Sequence, residues 1–374
     1  MAEAGKARKG LSTLKVTMGK SKADFKEAVE GLVRSKIHIA VAGEPGTEKL
    51  AFINVIRGLE EDEEEGPSSK EEPTKYCHPK FPRVKIWDLP CLPASNFSPD
   101  AYLEKIRLGR YEAVLVTTSE EFASEYVMLS SAIVAAKTPV YFVLLASLED
   151  SPQSLQEKKR KNKERLKLAG LEAPRVFLVS RQNLGRLEFL SLLDAMEKDL
   201  PEMKMNLLLI SLPVFAASML QKKKKAFKNY ILKDASYSAG VNSIPLPEVG
   251  AKLDHRHLEK VLTRIRDSFD LDNASLQRLA RRMDQPVEEL KSVLASEISM
   301  DINKNLVIGL LAKAKGQESL ASKMLEASPV RYLKKSSQSM ATTYFMLHSA
   351  MDELEEDAKR VLEKASHGKE NRAR

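Results

Sequence analysis

Disulfide chemistry has almost nothing to work with in this chain. Only two cysteines occur among 374 residues, Cys77 and Cys91. That excludes a disulfide-stapled framework and fits a reducing compartment. Aromatic residues make up 6% and tryptophan occurs once. The basic excess is spread out rather than laced with aromatics in one patch, so no nucleic-acid partner is expected. No run of about 18 apolar residues exists, so no membrane span is expected. The opening MAEAGKARKG has no apolar core of the secretory kind and no glycine at position 2. Neither secretion nor N-terminal myristoylation is therefore expected. A cytoplasmic chain, peripheral at most on endomembranes, is the expectation.

What is present suffices for a substantial core. The chain is 43% hydrophobic and 30% charged, with a net charge of +8. Its length suggests two domains, or one with a large accessory part. The positive balance permits attraction to anionic membrane surfaces.

The most informative stretch is Ile37–Gly58, IHIAVAGEPGTEKLAFINVIRG. Ile37, Ile39 and Val41 read as a strand. Gly43 and Gly46 supply a turn, and Leu50, Phe52, Ile53 and Ile56 form the apolar face of a helix. A strand–turn–helix of this kind aims backbone N–H groups at one spot, which is an anion site. The phosphate-loop pattern is G-x-x-x-x-G-K-[ST]. The frame here is Gly43-Glu44-Pro45-Gly46-Thr47-Glu48-Lys49-Leu50. The first glycine and the lysine are in place. Glu48 stands where the second glycine belongs, and Leu50 where a hydroxyl residue belongs.

Further along, Ala23–Arg34 spaces apolar residues as a short amphipathic helix, and Glu60–Glu65 reads as a solvated acidic loop. Gly66–Pro82 reads as a loop with four prolines. Val84–Asp88 is an alternating strand. Its continuation, Asp88-Leu89-Pro90-Cys91, is similar to D-x-x-G with Cys91 in the glycine's place. Asp88 is then a candidate metal position, although an aspartate capping a loop after a strand is also common. Tyr102–Gly109, Ala123–Ala136, the highly basic Gln156–Leu168 and Leu187–Lys198 read as helices. Ala113–Thr117, Pro139–Leu145 and Arg175–Val179 read as buried strands. Strands alternating with helices predict an α/β domain with a mostly parallel sheet, its ligand at the carboxyl ends of the strands. From Leu207 on, the period is helical: Ala274–Met283, Pro286–Ser296, Asn303–Lys315 and Thr342–Lys364 are amphipathic. Lys222–Lys225, followed by Phe227 and Lys228, is the densest basic cluster, a solvated helix face or a lipid patch. His255 and His257, two apart, do not face one metal from a helix.

The order of these pieces resembles the interferon-inducible immunity-related GTPases, a dynamin-related family. The residues that carry the likeness are the phosphate-loop frame, Phe52-Ile53-Asn54 with Arg57-Gly58, Trp87–Pro90, Asn96-Phe97, Tyr102–Lys105, Pro174–Ser180 and Asp199-Leu200-Pro201. In the helical part they are Ser211-Leu212-Pro213, Pro286–Ser292 and Glu353–Ala365. The resemblance implies a Ras-like G domain at 35–205 and an all-α domain from 206–365 with the N-terminal segment 23–34. A basic stretch (1–22) and a polar tail (366–374) flank these. It also implies GTP or GDP with Mg²⁺ as ligand, and other immunity-related GTPases as partners across the G-domain face. Weak homo- or hetero-oligomers and contact with anionic intracellular membranes are implied as well. Carried over by position, the nucleotide face comprises Gly43, Glu44, Gly46, Thr47, Glu48, Lys49, Leu50, Thr74, Asp88, Cys91, Ser147 and Ser180. No catalytic residue is assigned.

Several of these positions depart from the family pattern. A carboxylate at Glu48 faces a polyanion, and two like charges 4 Å apart repel by ~4 kcal/mol at a surface dielectric. Leu50 cannot ligate Mg²⁺. Cys91 keeps its N–H and is a milder change. Leu145–Leu148 occupies the place of the guanine-reading [NT]-K-x-D, so the base-reading aspartate is gone unless Glu149 or Asp150 shifts into register. Thr74 is the one threonine left in a short first switch. Lys49 is either a phosphate ligand or a solvated surface lysine. The helical stretches Val249–Leu258 and Ser328–Lys335 are more polar than the family suggests. The expectation is an innate-defence protein with a degraded site acting as a regulatory partner of active relatives. A slow but working GTPase and a membrane-surface adaptor are the alternatives.

Overall fold

The computed structural model describes residues 36–44, 47–63, 71–93, 96–147, 149–228, 255–317, 319 and 338–372. The expected helix Ala23–Arg34 and the stretch Ser328–Lys335 lie outside them. The chain forms two compact units. One takes in 36–226, 264–300 and 354–374; the described parts of the other are 227–228, 255–263, 301–317, 319 and 338–353.

The first unit is built on six strands in the order β2-β3-β1-β4-β5-β6. They are β1 (Ile37–Gly43), β2 (Thr74–Cys77), β3 (Val84–Asp88), β4 (Ala113–Thr118), β5 (Val140–Ala146) and β6 (Val176–Ser180). All neighbours pair in parallel except β2, which runs antiparallel to β3. β4 and β5 are buried along their whole length, as the unbroken apolar runs require in a doubly covered sheet.

Helices follow the strands in turn: α1 (Thr47–Ile56), α2 (Pro99–Ile106), α3 (Ser124–Ala135), α4 (Pro152–Leu168), α5 (Phe189–Asp199) and α6 (Glu202–Ser211). Ala40, Ala42, Val114, Val116, Phe142 and Leu144 share one core with Ile106 of α2, Leu129 of α3 and Leu166 of α4. The alternate strand residues Ile39, Val41, Leu115 and Val143 are buried as well, and α1 and α6 pack against β1 and β3. Period-two strands buried on both sides place helices on both faces.

Four readings of the sequence need correction. Gly66–Pro82 is not all loop: Thr74–Cys77 adds as an edge strand, with Tyr76 buried against its partner. Four residues are too few to show alternation. The helix expected at Tyr102–Gly109 starts earlier and breaks earlier. Ser98 caps it, Pro99 opens it, and Arg107 in the left-handed region (φ 54°) ends it before a separate 3₁₀ turn at Leu108–Arg110.

The third correction concerns the lysine run in the helix α7 over 217–228. Lys223 is wholly buried, its ammonium donating to Ile210 O at 3.0 Å, Ser268 Oγ at 3.4 Å and Leu212 O. Lys222 pairs with Asp194 at 2.6 Å and Lys224 with Glu355. Lys225 alone of the four stays exposed, 3.6 Å from Glu197, so the run is largely internal rather than a wholly solvated face or an open lipid patch. The fourth correction is to the helix expected at Pro286–Ser296, which covers only Val287–Lys291. In the acidic run Asp62 and Glu63 are exposed, as a solvated loop requires, and two long-range pairings are added. Glu63 accepts from Arg278 Nε and Nη2 at 3.0 and 3.1 Å, and Glu60 lies 3.8 Å from Arg282. Sequence distance hid both pairings.

The remaining helices are α8 (His255–Ser268), α9 (Asn273–Arg282), α10 (Val287–Lys291), α11 (Glu297–Met300), α12 (Lys304–Lys315) and α13 (Gln338–Arg372). Asp272 caps α9 and Asn303 caps α12, each accepting from the N–H three residues on. Among the described residues no helix is long and apolar enough to cross a membrane.

Candidate nucleotide site

The carboxyl ends of the parallel strands bring Gly43, Asp88, Thr117, Ala146 and Ser180 to one edge of the sheet. Gly43 is fixed there by packing. A Cβ at this position would sit 2.6 Å from the backbone oxygen of Thr117, so only glycine fits. Its own carbonyl accepts from the buried phenol of Tyr126 at 2.5 Å. Thr117 Oγ1 donates to Ala42 O at 3.1 Å and closes the same corner. Glu44 is exposed; Gly46 lies outside the described residues, as does the side chain of Thr47.

Lys49 sits in the first turn of α1 and is 5% exposed, so it is not a surface lysine. Its ammonium lies 2.8 Å from Asp88 Oδ1 and donates to Leu89 O at 3.0 Å and Gly43 O at 3.4 Å. Asp88 has no solvent exposure. A desolvated ion pair of this kind holds only if its remaining hydrogen-bonding capacity is met. Here two carbonyls meet the two ammonium donors that the carboxylate leaves over.

Glu48, the next residue, points elsewhere. Its carboxylate meets Arg181 Nη1 at 2.9 Å, just past the end of β6. Arg181 also acts on Glu61, whose carboxyl is raised above its usual range by burial and by the charges of Asp62 and Glu60, with Arg181 opposing them.

The other sequence-assigned positions fall as follows. Leu50 is half-buried in α1. Thr74 stands opposite Asp88 in the β2–β3 ladder. Cys91 is a half-buried free thiol. Behind it the phenol of Tyr102 donates to Pro90 O at 2.6 Å; burial raises this phenol's pKa above the ordinary tyrosine value. Asp150 does not reach outward. Its Oδ2 accepts from Ser147 N at 2.7 Å and its Oδ1 lies 3.4 Å from Lys158. Ser180 is buried, its Oγ accepting from Asn183 N at 3.2 Å.

Thr117, Tyr126 and Arg181 belong to this region and no motif singled them out; Tyr102 figured only in a string of the family likeness, with no role at the site. Arg181 alone had a signal, a cation directly after the last strand.

Leu50 offers no oxygen, Asp88 is committed to Lys49, and Asp150 is committed to Ser147 and Lys158.

The sheet order, with one antiparallel edge strand and β1 ending on Gly43 shortly before α1, is that of a phosphate-loop G domain. The interferon-inducible GTPase (IIGP) family profile matches residues 13–365. Interferon-inducible GTPase 5 of Rattus norvegicus is 31% identical, over 88% of this chain and 76% of its own. The Bos taurus protein of the same name is also 31% identical, over 90% and 77%. Interferon-gamma-inducible GTPase 10 of Mus musculus is 30% identical, over 90% and 83%. Among solved structures, a probable GTP-binding protein engB is similar at 13% identity and a TM-score of 0.31, over 43% of this chain and 97% of that one. The chain belongs to the interferon-inducible GTPase family.

Proposed function

We propose that this chain is a catalytically weak or inactive immunity-related GTPase. It serves cell-autonomous innate defence by docking on active relatives through its G-domain face. The observation that carries this reading is the Lys49 ammonium. It is enclosed by Asp88, Gly43 O and Leu89 O, with Leu50 rather than a hydroxyl one residue on. A nucleotide's phosphates have to compete with a buried carboxylate for that charge. The product of such a protein is a binding equilibrium, a cytoplasmic complex of weak homo- or hetero-oligomers, and not turnover. The docking body in this reading is the G domain at 35–205, with 23–34 and 206–365 as the helical domain.

Family membership favours a second reading, a slow GTPase that binds GTP or GDP with Mg²⁺. An adaptor role at anionic endomembranes has less to stand on, since three of the four lysines at 222–225 are buried or paired with carboxylates.

Titration of the purified chain with fluorescent GTP, GDP and ATP analogues, with and without Mg²⁺, separates the first two. No binding at millimolar nucleotide is the expected result. Micromolar, guanine-selective binding overturns it and establishes the second reading.

A further inference from the structure

Two elements leave the Lys49–Asp88 pair side by side, and both end on the same distant helix. α1 begins with Lys49 in its first turn; just beyond its carboxyl end, Glu63 is held in two-pronged fashion by Arg278, and Glu60 lies 3.8 Å from Arg282. β3 ends on Asp88; just ahead of its amino end, Lys80 is held by the cap of α9. The Lys80 ammonium donates to Asp267 O and Asp270 Oδ1, both at 3.1 Å, to Ser275 Oγ at 2.5 Å, and to Asp272. Ten helical residues and five strand residues each span roughly 15 Å, so both routes are of similar length.

Both links are stiff. α1 packs on β3. Arg57, at the end of α1, donates Nε and Nη2 to Cys77 O at 3.2 and 2.7 Å, tying α1 to the end of β2. The turn carrying Lys80 is locked by His78, whose Nδ1 accepts from the N–H groups of Lys80 and Phe81, both at 3.2 Å. His78 N in turn donates to Val84 O at 3.0 Å. Asp272 does double duty, capping α9 through Ser275 N at 3.1 Å while pairing with Lys80. Arg278 and Arg282 are four residues apart and so lie on one face of α9. The cap anchor is sheltered, with Lys80 and Asp272 18% and 14% exposed, whereas the Glu63 carboxylate on Arg278 is 35% exposed. The Lys80–Asp272 pair is therefore weakened little by salt, the arginine-face pairs more.

We propose that α9 is the readout helix of the phosphate-side ion pair. A change at Lys49–Asp88 is carried along α1 and β3 as two stiff rods and delivered to the cap and the arginine face of α9. The coupling involves only the chain's own ion pairs and stands whether or not a nucleotide binds. A physical coupling between distant sites is a free energy and is reciprocal, so it can be driven from either end.

The experiment is site-resolved amide hydrogen exchange on the full chain, supported by the emission of Trp87, the sole tryptophan and the neighbour of Asp88. Asp272→Asn keeps a capping oxygen and removes the charge. Lys80→Met removes the cation, and Lys49→Met drives the relay from the other end. In Asp272→Asn the amides of Trp87, Asp88 and Leu89 exchange at least threefold faster and Trp87 emission shifts. In Lys49→Met the amides of α9 speed up by a similar factor. The double variant Lys80→Met/Asp272→Asn shows no more effect at Trp87–Leu89 than either single change, because both break one link. Arg160→Ala, on the exposed face of α4, changes neither region.

Local opening is distinguished from general loosening by β5, whose amides Phe142–Leu145 serve as reference. If exchange rises only near residues 78–84 and 267–276, the coupling does not exist. A rise of equal size in β5 also refutes it, since that is global destabilisation. If Lys80→Met fails to fold, the reciprocal pair Asp272→Asn and Lys49→Met decides the matter alone.

Discussion

Glu48 and Arg181, 133 residues apart in sequence, join their charges at 2.9 Å on the rim of the nucleotide site. The carboxylate at the altered loop position is turned aside onto a guanidinium rather than aimed at the phosphates. Glu48 is 38% exposed, so the pair itself is worth under about 1 kcal/mol. Removing the carboxylate has two effects of one sign: a negative charge leaves the phosphate side, and Arg181 becomes free to face an anion. Glu48→Gly is expected to bring GDP into the measurable range, a gain of about tenfold or more over the parent, or at least roughly 1.4 kcal/mol, in calorimetry. If parent and variant both fail to bind, Glu48 is not what blocks the site.

Leu50 is the second obstacle, and it concerns the metal rather than the phosphates. In the Glu48→Gly background, Leu50→Ser restores the hydroxyl that Mg²⁺ uses in phosphate-loop proteins. Nucleotide affinity should then rise by about fivefold or more on adding millimolar Mg²⁺, an effect of roughly 1 kcal/mol. Equal affinity with and without Mg²⁺ assigns the block to the Lys49–Asp88 pair.

Gly43 carries a packing constraint independent of any ligand. A methyl group there meets Thr117 O at 2.6 Å, and that atom is backbone in the middle of the sheet. Overpacking of this kind costs about 1–3 kcal/mol. Gly43→Ala should lower the thermal midpoint by several degrees in a circular-dichroism melt. An unchanged midpoint means that β1 and β4 can part at no cost.

His78 and Lys223 make the fold acid-sensitive. Burial, reinforced by Lys80, Lys223 and Arg57, pushes His78 down to about 3; burial pushes Lys223 down to about 7. Both groups bind protons more weakly folded than unfolded. Stability therefore rises with pH between about 3 and 6.5 for His78 and between about 7 and 10.5 for Lys223, and falls on acidification through each window. Urea unfolding at pH 6.5 and 4.5 should differ by about 2 kcal/mol or more, and His78→Asn should flatten that difference. Lys223→Met should flatten the rise between pH 7 and 9. A slope that survives both substitutions belongs to other groups.

Asp357 has no solvent exposure and holds the turn before α11. It accepts from Ala295 N at 2.9 Å, Ser296 N at 3.0 Å and Ser299 Oγ at 2.5 Å, and pairs with Arg360. Burial alone would raise its carboxyl; these donors overcome that and hold it below the usual range. Asp357→Ala leaves three donors unmet and should cost about 3 kcal/mol in denaturant unfolding. A loss below about 0.5 kcal/mol would mean that water replaces the carboxylate freely.

Local pattern was enough, by itself, for β1, α1 and the continuous apolar strands β4 and β5, because each writes its period within a few neighbouring residues. The parallel α/β class followed from their alternation, and the family from the order of short strings such as Phe52-Ile53-Asn54 and Trp87–Pro90. Only the tertiary structure decided where the charges went. Lys49 turns inward to Asp88, Glu48 turns outward to Arg181, Lys223 disappears among carbonyls, and Glu63 finds Arg278. Edge strand β2 also emerged only in three dimensions, since four residues gain their structure from pairing with β3. The physical reason is common to all of them. Secondary structure is set by contacts a few residues long, whereas a charged side chain takes whatever opposite charge or carbonyl the fold brings within about 3 Å, at any distance along the chain.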